Sequence, residues 1–529
     1  MSLGAGLLSP PSALAESGSN RFSDVSSDRL YEAAIEDLAD RGIVSGYGDG
    51  MFRPDSLVSR QQFAKMVVSA LGWPVSEGDG CPFLDVTTSG PETLYPDNYI
   101  AVGAARGVIL GTSADRFSPL DSLGRAQMVT MIVRAVDSLG AGPLPDPKND
   151  APSTWKDLDS RHAANASWAE SEGLLSGLPM SDLDPYGFAT RGEVAQVLHN
   201  LAQDVRYYGA KGDAVTDDTS AFEAALGAAS PGSTVVVPAA TYRIEGTLSL
   251  QSGVTLSGAG AVLYMPDRSS KTALLDVDGT TGVSIIGLTL RSDSATGVLG
   301  IAGTGDGAVN LTIRDLRTEN LYTGLKLGCG GASSGLNVQN WVGRGDCQSL
   351  LIGNVKGGTL TNLDFDCRSM TNNHNIYLER GNSDLTFDTL RLAGGNGYSL
   401  HLYMDSTLTS DRGKRITFRH VRLDGPTRGV VVERYDDVTL EDVVGETHEG
   451  EGPIVLGMLS GFTVDGFDLA GRDVCIYVSP EHGMVGRVKV LNGVFHQPDL
   501  FANGGSVDGL VVDNVTRAHR AIPSTTIVP

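Results

Sequence analysis

Apolar residues in the C-terminal part of the chain follow a repeating pattern. An apolar residue, a polar residue and a second apolar residue recur at intervals of 22 to 31 residues, starting at Val254, Val283, Leu311, Leu336, Leu360, Leu385, Ile416, Val438, Phe462, Val488 and Leu510. The copy at Leu360 has Asn362 at its second apolar position, and the copy at Val488 has Gly493 where most copies have another apolar residue. Short strands repeated at this interval bury their apolar faces by stacking on their neighbours. The pattern predicts a parallel solenoid.

A second short strand follows 14 to 16 residues after the first in six rungs, starting at Leu325, Leu350, Ile376, Leu400, Val430 and Ile454. Because side chains alternate between the two faces of a strand, these residues and the residues two positions on should point inward. Three adjacent rungs together then place five polar or aromatic residues on the outer face: Tyr377, Glu379, His401, Tyr403 and Glu433. One of the two outward positions on each neighbouring rung is a glycine, Gly353 or Gly457, so we expect a shallow trough.

The outer face of these rungs offers chemistry for a sugar. Parallel strands lie about 4.8 Å apart, so Glu379 and Glu433 should lie roughly 9 to 10 Å apart at Cα, near the carboxyl separation of inverting glycosidases. One could be the general acid and the other the general base, with Tyr403 between them. A lyase would instead use His401 or Tyr403 as the base. Tyr377 and Arg434 would bind sugar. Sugar binding without catalysis and an ordinary solvated strand face are the two alternatives.

A different repeat occupies the N-terminal 200 residues. Each copy has an aromatic residue two positions before an aspartate (Asp24, Asp85 and Asp157), then a helical stretch ending at a glycine (Gly42, Gly107 and Gly173), then a helix that begins at an arginine (Arg60, Arg125 and Arg191). The arginines are 65 and 66 residues apart. Ser59 and Thr190 are good N-cap residues, and glycine suits the left-handed position that ends a helix. Three related helical repeats are therefore expected.

These copies resemble S-layer homology (SLH) repeats, over roughly residues 20–202. The resemblance implies a pseudo-threefold helical unit that binds pyruvylated secondary cell-wall polysaccharide. A guanidinium can pair with a ketal carboxylate through two hydrogen bonds. The residues that match the family's pattern, and are implied to bind the wall polymer, are Arg60, Arg125, Arg191, Asp24, Asp85, Asp157 and Trp168.

The segment from Val205 to Ala229, with its Gly-Ala-Lys-Gly-Asp and Thr-Asp-Asp-Thr motifs, resembles the opening of pectate-lyase-3 type proteins. This resemblance implies an all-β right-handed parallel β-helix after the α-helical SLH unit, and so a multidomain fold. The expected boundaries are a signal remnant or tail at 1–19, SLH repeats at 20–81, 82–150 and 151–203, the β-helix at 204–520 and a tail at 521–529.

Charge and composition argue against several classes of function. The chain has 529 residues and a net charge of 40 − 63 = −23, which argues against nucleic-acid binding because that requires basic surfaces. Its five cysteines lack metal-site spacing, and no motif supports a cofactor, a metal or a calcium site. Ala13-x-Ala15 after a short apolar run is typical of the end of a secretory signal. Together with this motif, the SLH resemblance implies an extracellular cell-wall or S-layer protein, and no stretch approaches the roughly 20 apolar residues that a transmembrane helix needs. Its β-helix would act on polysaccharide or be purely structural or adhesive, and assembly into an oligomer or lattice is left open.

Overall fold

The computed structural model describes residues 21–90, 93–139, 154–155, 158–159, 162–328, 330–367, 374–394, 397–403, 412–424, 428–447, 452–471, 474–479, 484–503, 507–518 and 520–521. The expected signal remnant at 1–19, Asp157 and residues 522–529 of the expected tail lie outside these ranges. The chain forms two compact units, Met1–Ala202 and Gln203–Pro529.

Unit 1 is helical. Its helices are α1 Glu32–Asp40, α2 Arg60–Ala70, α3 Asp97–Ala105, α4 Arg125–Leu139, α5 Ala163–Ser171 and α6 Arg191–Ala202. As predicted, α2, α4 and α6 begin at the three repeated arginines. The hydroxyl of Ser59 accepts the Gln62 backbone N–H, and the Gln62 side chain accepts the Ser59 N–H. These reciprocal hydrogen bonds form a capping box. Gly42, Gly107 and Gly173 each have a φ near +75° just after α1, α3 and α5.

Three equivalent backbone segments, one before each arginine-led helix, join in a closed ring. The Val58 N–H donates to the Ala189 carbonyl at 3.0 Å, the Ala189 N–H donates to the Leu123 carbonyl at 2.8 Å, and the Leu123 N–H donates to the Val58 carbonyl at 2.8 Å. Val58, Leu123 and Ala189 are fully buried. Each repeat thus satisfies the backbone of the next, which gives unit 1 a pseudo-threefold arrangement.

Unit 2 begins with a 3₁₀ turn, Val205–Tyr208, and contains one further helix, α7 Thr219–Ala228, among the residues described. The strands are β1 Asp213–Asp217, β2 Thr234–Val236, β3 Thr241–Arg243, β4 Leu248–Ser249, β5 Thr255–Ser257, β6 Val262–Tyr264, β7 Thr272–Asp276, β8 Ser284–Ile286, β9 Thr289–Arg291, β10 Val298–Gly303, β11 Thr312–Glu319, β12 Thr323–Leu327, β13 Ser333–Arg344, β14 Gln348–Gly353, β15 Val355–Cys367, β16 Ile376–Glu379, β17 Ser383–Gly394, β18 Leu400–Tyr403, β19 Gly413–Asp424, β20 Val430–Glu433, β21 Tyr435–Glu446, β22 Ile454–Gly457, β23 Ser460–Ala470, β24 Val474–Val478, β25 Val485–Phe495, β26 Asp499–Asn503, β27 Val507–Asp508, β28 Val511–Arg517 and β29 Arg520–Ala521.

Two parallel sheets wind along unit 2 as a solenoid, as the repeat pattern predicts. One sheet runs in the order β4, β7, β10, β12, β14, β16, β18, β20, β22, β24, β26, so that every strand pairs with the equivalent strand of the next coil. The other sheet contains the longer strands β11, β13, β15, β17, β19, β21, β23 and β25. The predicted inward residues of the first sheet, from Leu325 to Leu456, are at most 1% exposed. The predicted alternation is confirmed.

The copy at Leu360 is registered differently from the prediction. Leu360 pairs with Val338 and Phe387, whereas Gly358 occupies the position that faces Leu336. Asn362 is therefore not an inward residue. It adopts a left-handed φ of 56° at a kink in β15, and its amide donates to Asn340, which has the same conformation in β13. Asparagine tolerates this conformation well. The second inward apolar residue of this coil is therefore Leu360, two residues before the predicted position 362.

Packing also explains why position 493 is a glycine and not an apolar residue. It pairs with Phe467, and a Cβ at Gly493 would lie 2.0 Å from the Phe467 ring. The phenyl ring of one coil thus fills the space that an apolar side chain occupies in most others.

A carboxyl group is buried inside unit 2, and no described residue forms an ion pair with it. Asp346 is 0% exposed and accepts hydrogen bonds from the Thr318 hydroxyl at 2.6 Å, the Leu321 backbone N–H at 3.0 Å and the Ser349 hydroxyl at 3.3 Å. Burial disfavours the charged form and raises the pKa of Asp346 to about 7. Asp346 is therefore protonated over much of the acidic range in the folded protein.

We expect the Asp346→Asn variant to change how stability depends on pH. The folded pKa is higher than the unfolded value of 3.8. Wild-type stability is therefore lost as pH rises between about 4 and 7, by up to about 4 kcal/mol, whereas the neutral amide avoids this loss. Urea unfolding at pH 4, 6 and 8 should show the free energy of unfolding of the variant gaining on wild type as pH rises. Parallel pH profiles would contradict this prediction.

Candidate functional site

The predicted outer face of unit 2 lies on three adjacent strands. In β16 and β18, Tyr377 pairs with His401 and Glu379 pairs with Tyr403. In β20, Val431 pairs with His401, and Glu433 pairs with Gly457 of β22. The rungs therefore bring the predicted residues together in the expected order. Tyr377, Glu379, His401 and Tyr403 are partly exposed, whereas Glu433 is buried and only 5% exposed.

Aromatic rings cover the first two of these strands. The rings of Tyr377 and His401 are stacked, with centroids 4.5 Å apart and planes within 8°. Tyr398 and Tyr403 lie 5.3 and 5.5 Å from the His401 ring. His374 contacts the same ring at 4.2 Å and stacks on Tyr398 at 6.1 Å. We call these five residues the aromatic cluster: His374, Tyr377, Tyr398, His401 and Tyr403.

The two histidines of the aromatic cluster are hydrogen-bonded to each other. His374 Nε2 lies 3.0 Å from His401 Nδ1, and the Tyr398 backbone N–H donates to His374 Nδ1 at 3.0 Å. Burial lowers the pKa of His374 to about 4 and that of His401 to about 2, and the neighbouring His374 lowers the latter further. Both imidazoles are neutral at physiological pH.

A buried polar pair positions the residues that follow β16. The Tyr435 hydroxyl donates to the Arg380 carbonyl at 2.7 Å, and Asn382 Nδ2 donates to the Tyr435 oxygen at 2.8 Å and to the Glu379 carbonyl at 3.0 Å. Tyr435 is fully buried, which raises the pKa of its hydroxyl. A Cβ on Gly413 would overlap the Tyr435 ring, so this glycine leaves room for the contact. The backbone at Glu379 is therefore held firmly.

Two arginines occupy equivalent positions beside the face. Arg380 follows β16 and Arg434 follows β20, and each adopts a left-handed φ of about 60°. The Nε atom of Arg380 is buried and has no hydrogen-bond partner in the structure. Each arginine thus directly follows, in sequence, the glutamate that ends its strand.

In unit 1, Arg60 and Arg191 have the same surroundings in different repeats. Arg60 Nε donates to the Phe117 carbonyl at 2.8 Å and Nη2 to the Leu110 carbonyl at 2.9 Å. Arg191 Nε donates to the Phe52 carbonyl at 2.8 Å and Nη2 to the Ser45 carbonyl at 3.0 Å. Each guanidinium also lies over a phenylalanine ring, at 4.5 and 4.4 Å. The arginine of one repeat therefore packs against the next.

These two guanidinium groups are buried cations without a carboxylate partner. Arg60 is 4% and Arg191 8% exposed, and neither forms an ion pair with the residues described. Burial lowers the pKa of both. Each guanidinium lines an open cleft. The cleft at Arg191 has a volume of about 240 Å³ and includes Tyr47, Gln62, Lys65 and Tyr95. The cleft at Arg60 has a volume of about 560 Å³ and includes Asp121, Asp159, His162 and Tyr186.

Arg125 differs from the other two. Its Nε and Nη2 donate to the two carboxylate oxygens of Glu193 at 2.9 and 2.8 Å, and its Nη1 donates to the Asp184 carbonyl at 3.1 Å. Glu193 raises the pKa of Arg125. Glu193 occupies the capping position that Gln62 and Gln127 hold in α2 and α4. One glutamate in place of glutamine thus neutralises the third arginine.

Family comparisons agree with both units. The sequence model of the S-layer homology domain matches residues 21–64, and that of "Rhamnogalacturonase A/epimerase, pectate lyase-like" matches residues 202–452. The chain carries an SLH domain and a pectate-lyase-like domain that forms a right-handed β-helix. The SLH resemblance is confirmed for residues 21–64 and the pectate-lyase-like resemblance for residues 202–452, whereas the second and third SLH repeats stay a prediction.

Curated relatives of this SLH protein include S-layer proteins. S-layer protein EA1 of Bacillus anthracis is 28% identical over 40% of the chain and 23% of its own length. The S-layer protein of Bacillus licheniformis is 31% identical over 25% of the chain and 14% of its own length. The chain therefore spans less than a quarter of either relative. Among solved structures, the A-module of the Azotobacter vinelandii mannuronan C-5 epimerase AlgE6 aligns with 60% of the chain and all of that module, at 17% identity and a TM-score of 0.45.

Other residues implied by the SLH resemblance have structural contacts. Asp24 accepts the backbone N–H groups of Phe52 and Arg53 at 2.8 and 2.7 Å, and Asp85 accepts those of Phe117 and Ser118 at 2.8 and 2.9 Å. These carboxylates hold the loops whose carbonyl oxygens accept hydrogen bonds from Arg191 and Arg60. Trp168 is 3% exposed within α5. A direct role for Trp168 in polymer binding would need movement of the surrounding side chains.

The sequence pattern did not identify Tyr398 or Glu193 as site residues. Tyr398 is two residues before the inward Leu400, so alternation alone would turn it inward, but the chain bends before β18. Glu193 was visible as the one acidic residue at a capping position shared with two glutamines. No group of three metal-ligating side chains occurs among the residues that the structure describes. In the same residues, no helix is both long and apolar enough to span a membrane.

Proposed function

We propose that this SLH protein is an extracellular cell-surface protein that unit 1 anchors to pyruvylated secondary cell-wall polysaccharide. The observation that carries the proposal is the pair of buried guanidinium groups, Arg60 and Arg191, which form no ion pair with any described residue and line open clefts. A buried cation is costly unless an anion pairs with it. A ketal carboxylate entering either cleft would supply that anion, and Tyr47 or Tyr186 would pack against the sugar.

Overall charge cannot provide this attachment. Residues 1–202 carry 14 − 26 = −12, so an anionic polymer is repelled by unit 1 as a whole. Local cations must therefore bind it. Lys65 adds a second positive charge to the cleft of Arg191. The proposed binding is accordingly specific to two clefts and sensitive to salt.

The third arginine should contribute little to binding, because Glu193 already pairs with it. We expect the Glu193→Gln variant to free Arg125 and to add a third binding site, since glutamine restores the residue found at positions 62 and 127. Isothermal titration with short pyruvylated wall oligosaccharides should give about two sites per wild-type chain and about three for the variant.

The Arg125→Gln variant is the matched control, and it should leave affinity and stoichiometry at wild-type values. A loss of one site in Arg125→Gln, or an unchanged stoichiometry in Glu193→Gln, would contradict the assignment of two active clefts.

We further propose that the aromatic cluster, with Glu379, Glu433 and Arg434, binds polysaccharide. The rings of Tyr377 and His401 stack on each other, and the aromatic cluster offers ring surface against which a pyranose packs. Glu379 lies on the same strand as Tyr377, and Glu433 lies on β20, the rung next to His401. Cleavage is the second candidate function, because Glu379 and the buried Glu433 lie on strands separated by β18 alone. A purely structural or adhesive β-helix is the rival interpretation.

A polysaccharide panel tests this part of the proposal. The full chain is incubated with neutral and uronate-containing polymers, and binding, reducing ends and unsaturated uronates are measured. Binding that is lost in Tyr377→Ala but kept in Tyr264→Ala, which changes a tyrosine on β6, would support the site. Absence of binding to every polymer would favour a structural role.

A further inference from the structure

The hydrogen bonds between the two histidines of the aromatic cluster determine where the protons lie. A backbone N–H can only donate, so the Tyr398 amide at 3.0 Å makes His374 Nδ1 an acceptor. A neutral imidazole carries one proton, which for His374 must then be on Nε2. That N–H points at His401 Nδ1, 3.0 Å away. His401 Nδ1 is therefore also an acceptor, and its own proton is on Nε2.

Packing keeps this arrangement from changing. His374 is only 8% exposed, and its ring contacts Tyr377, Tyr398 and His401. The His401 ring is stacked on Tyr377 and bordered by Tyr403. The charged or titratable groups near the pair are these tyrosines, Glu379 at the end of β16 and Arg428, whose charge further disfavours protonation of His374. Rotation of the His374 ring would break two hydrogen bonds, and rotation of the His401 ring would break the one that joins it to His374.

The remaining edge of His401 is available to a ligand. No residue that the structure describes accepts a hydrogen bond from His401 Nε2. His401 is partly exposed, whereas His374 is not. The pair thus consists of an inner ring that holds a proton in place and an outer ring that presents an N–H group.

We propose that His374 is a positioning residue that fixes His401 as a neutral Nε2–H donor to a hydroxyl, ring or glycosidic oxygen of a bound sugar. His401 is then a hydrogen-bond donor and not a proton acceptor, so any proton acceptance at this face falls to Glu379, Glu433 or Tyr403. The proposal rests on the proposed function of the aromatic cluster as a sugar site. It removes His401 as the base of a lyase reaction.

The tautomer can be measured directly. Long-range ¹H–¹⁵N correlation spectra of the full chain with ¹⁵N-labelled histidine should show Nε2–H patterns for His374 and His401, with no titration between pH 5 and 8. His420 is the internal control, because it is exposed and its pairing with Asp388 raises its pKa. It should titrate within or above this range. An Nδ1–H pattern for His401, or titration of His401 with His420, would overturn the proposal.

Variants test the positioning role. In His374→Phe, which keeps a ring but removes both nitrogens, His401 should populate both tautomers and polysaccharide affinity should fall roughly 3- to 10-fold, the equivalent of one hydrogen bond. His374→Gln, which can still donate from its amide, should retain most of the affinity. Equal affinity in wild type and His374→Phe would overturn the positioning role. The predicted tautomers without binding to any polymer would instead overturn the proposed function of the site.

Discussion

Replacing Arg60 and Arg191 together by glutamine should abolish binding to pyruvylated wall polymer. Each substitution removes a charge-assisted interaction of about 1.5 to 3 kcal/mol, so each alone should weaken binding at its own cleft roughly 10- to 100-fold and leave the other cleft unchanged. Glutamine is preferred to alanine because its amide can still donate to one of the backbone carbonyls that these arginines hold. Sedimentation of the full chain with purified polymer, together with isothermal titration, measures the effect.

Folding must be separated from binding in this experiment. Arg60 and Arg191 join neighbouring repeats, so the variants should also unfold at a lower temperature. Arg125→Gln is the matched control because it makes the same substitution at the equivalent position of the remaining repeat. There the guanidinium is already paired with Glu193. Comparable losses of affinity in all three single variants would refute the distinction between the clefts.

Replacing Glu379 and Glu433 together by glutamine should lower polysaccharide cleavage by at least roughly 1000-fold. General acid and base groups each contribute about 100- to 10,000-fold, and glutamine keeps the shape of the side chain while removing its protonation chemistry. Affinity should fall much less than cleavage, because the aromatic cluster is intact and glutamine can still form hydrogen bonds. Product formation by the full chain is measured with the polymers that it binds.

Glu441→Gln serves as the control for this double variant. Glu441 lies on β21 of the other sheet and is paired with Arg419 at the surface. Its substitution should leave product formation unchanged. Full activity in the Glu379→Gln, Glu433→Gln double variant would remove these carboxylates from the mechanism, and a wild-type chain that cleaves no polymer would leave binding as the role of this face.

Much of the fold could be predicted because it depends on periodic burial. The alternation of Leu400 and Leu402 with His401 and Tyr403 predicted the face of each side chain, and the structure confirms it. The register of the coil at Leu360 was less predictable, because the spacing between coils does not show whether Leu360 is the first or the second inward residue. The structure makes it the second, and Asn362 lies at a left-handed position instead of facing inward.

The site depended on contacts that spacing does not encode. Alternation places Glu433 on the outer face, yet that side chain is buried, because position on a strand does not determine what covers it. The three arginines are equivalent in sequence, but only the structure pairs Arg125 with Glu193, 68 residues away. Likewise, the proton positions on His374 and His401 follow from a backbone N–H at Tyr398 that has no sequence signature.

The anchoring claim is tested most directly by titrating the full-length wild-type chain with wall polymer before and after mild acid removal of its pyruvate ketals. Binding should be tight to the pyruvylated polymer and lost with the ketals, because the clefts at Arg60 and Arg191 then receive no carboxylate. Equal affinity for both preparations would contradict the claim.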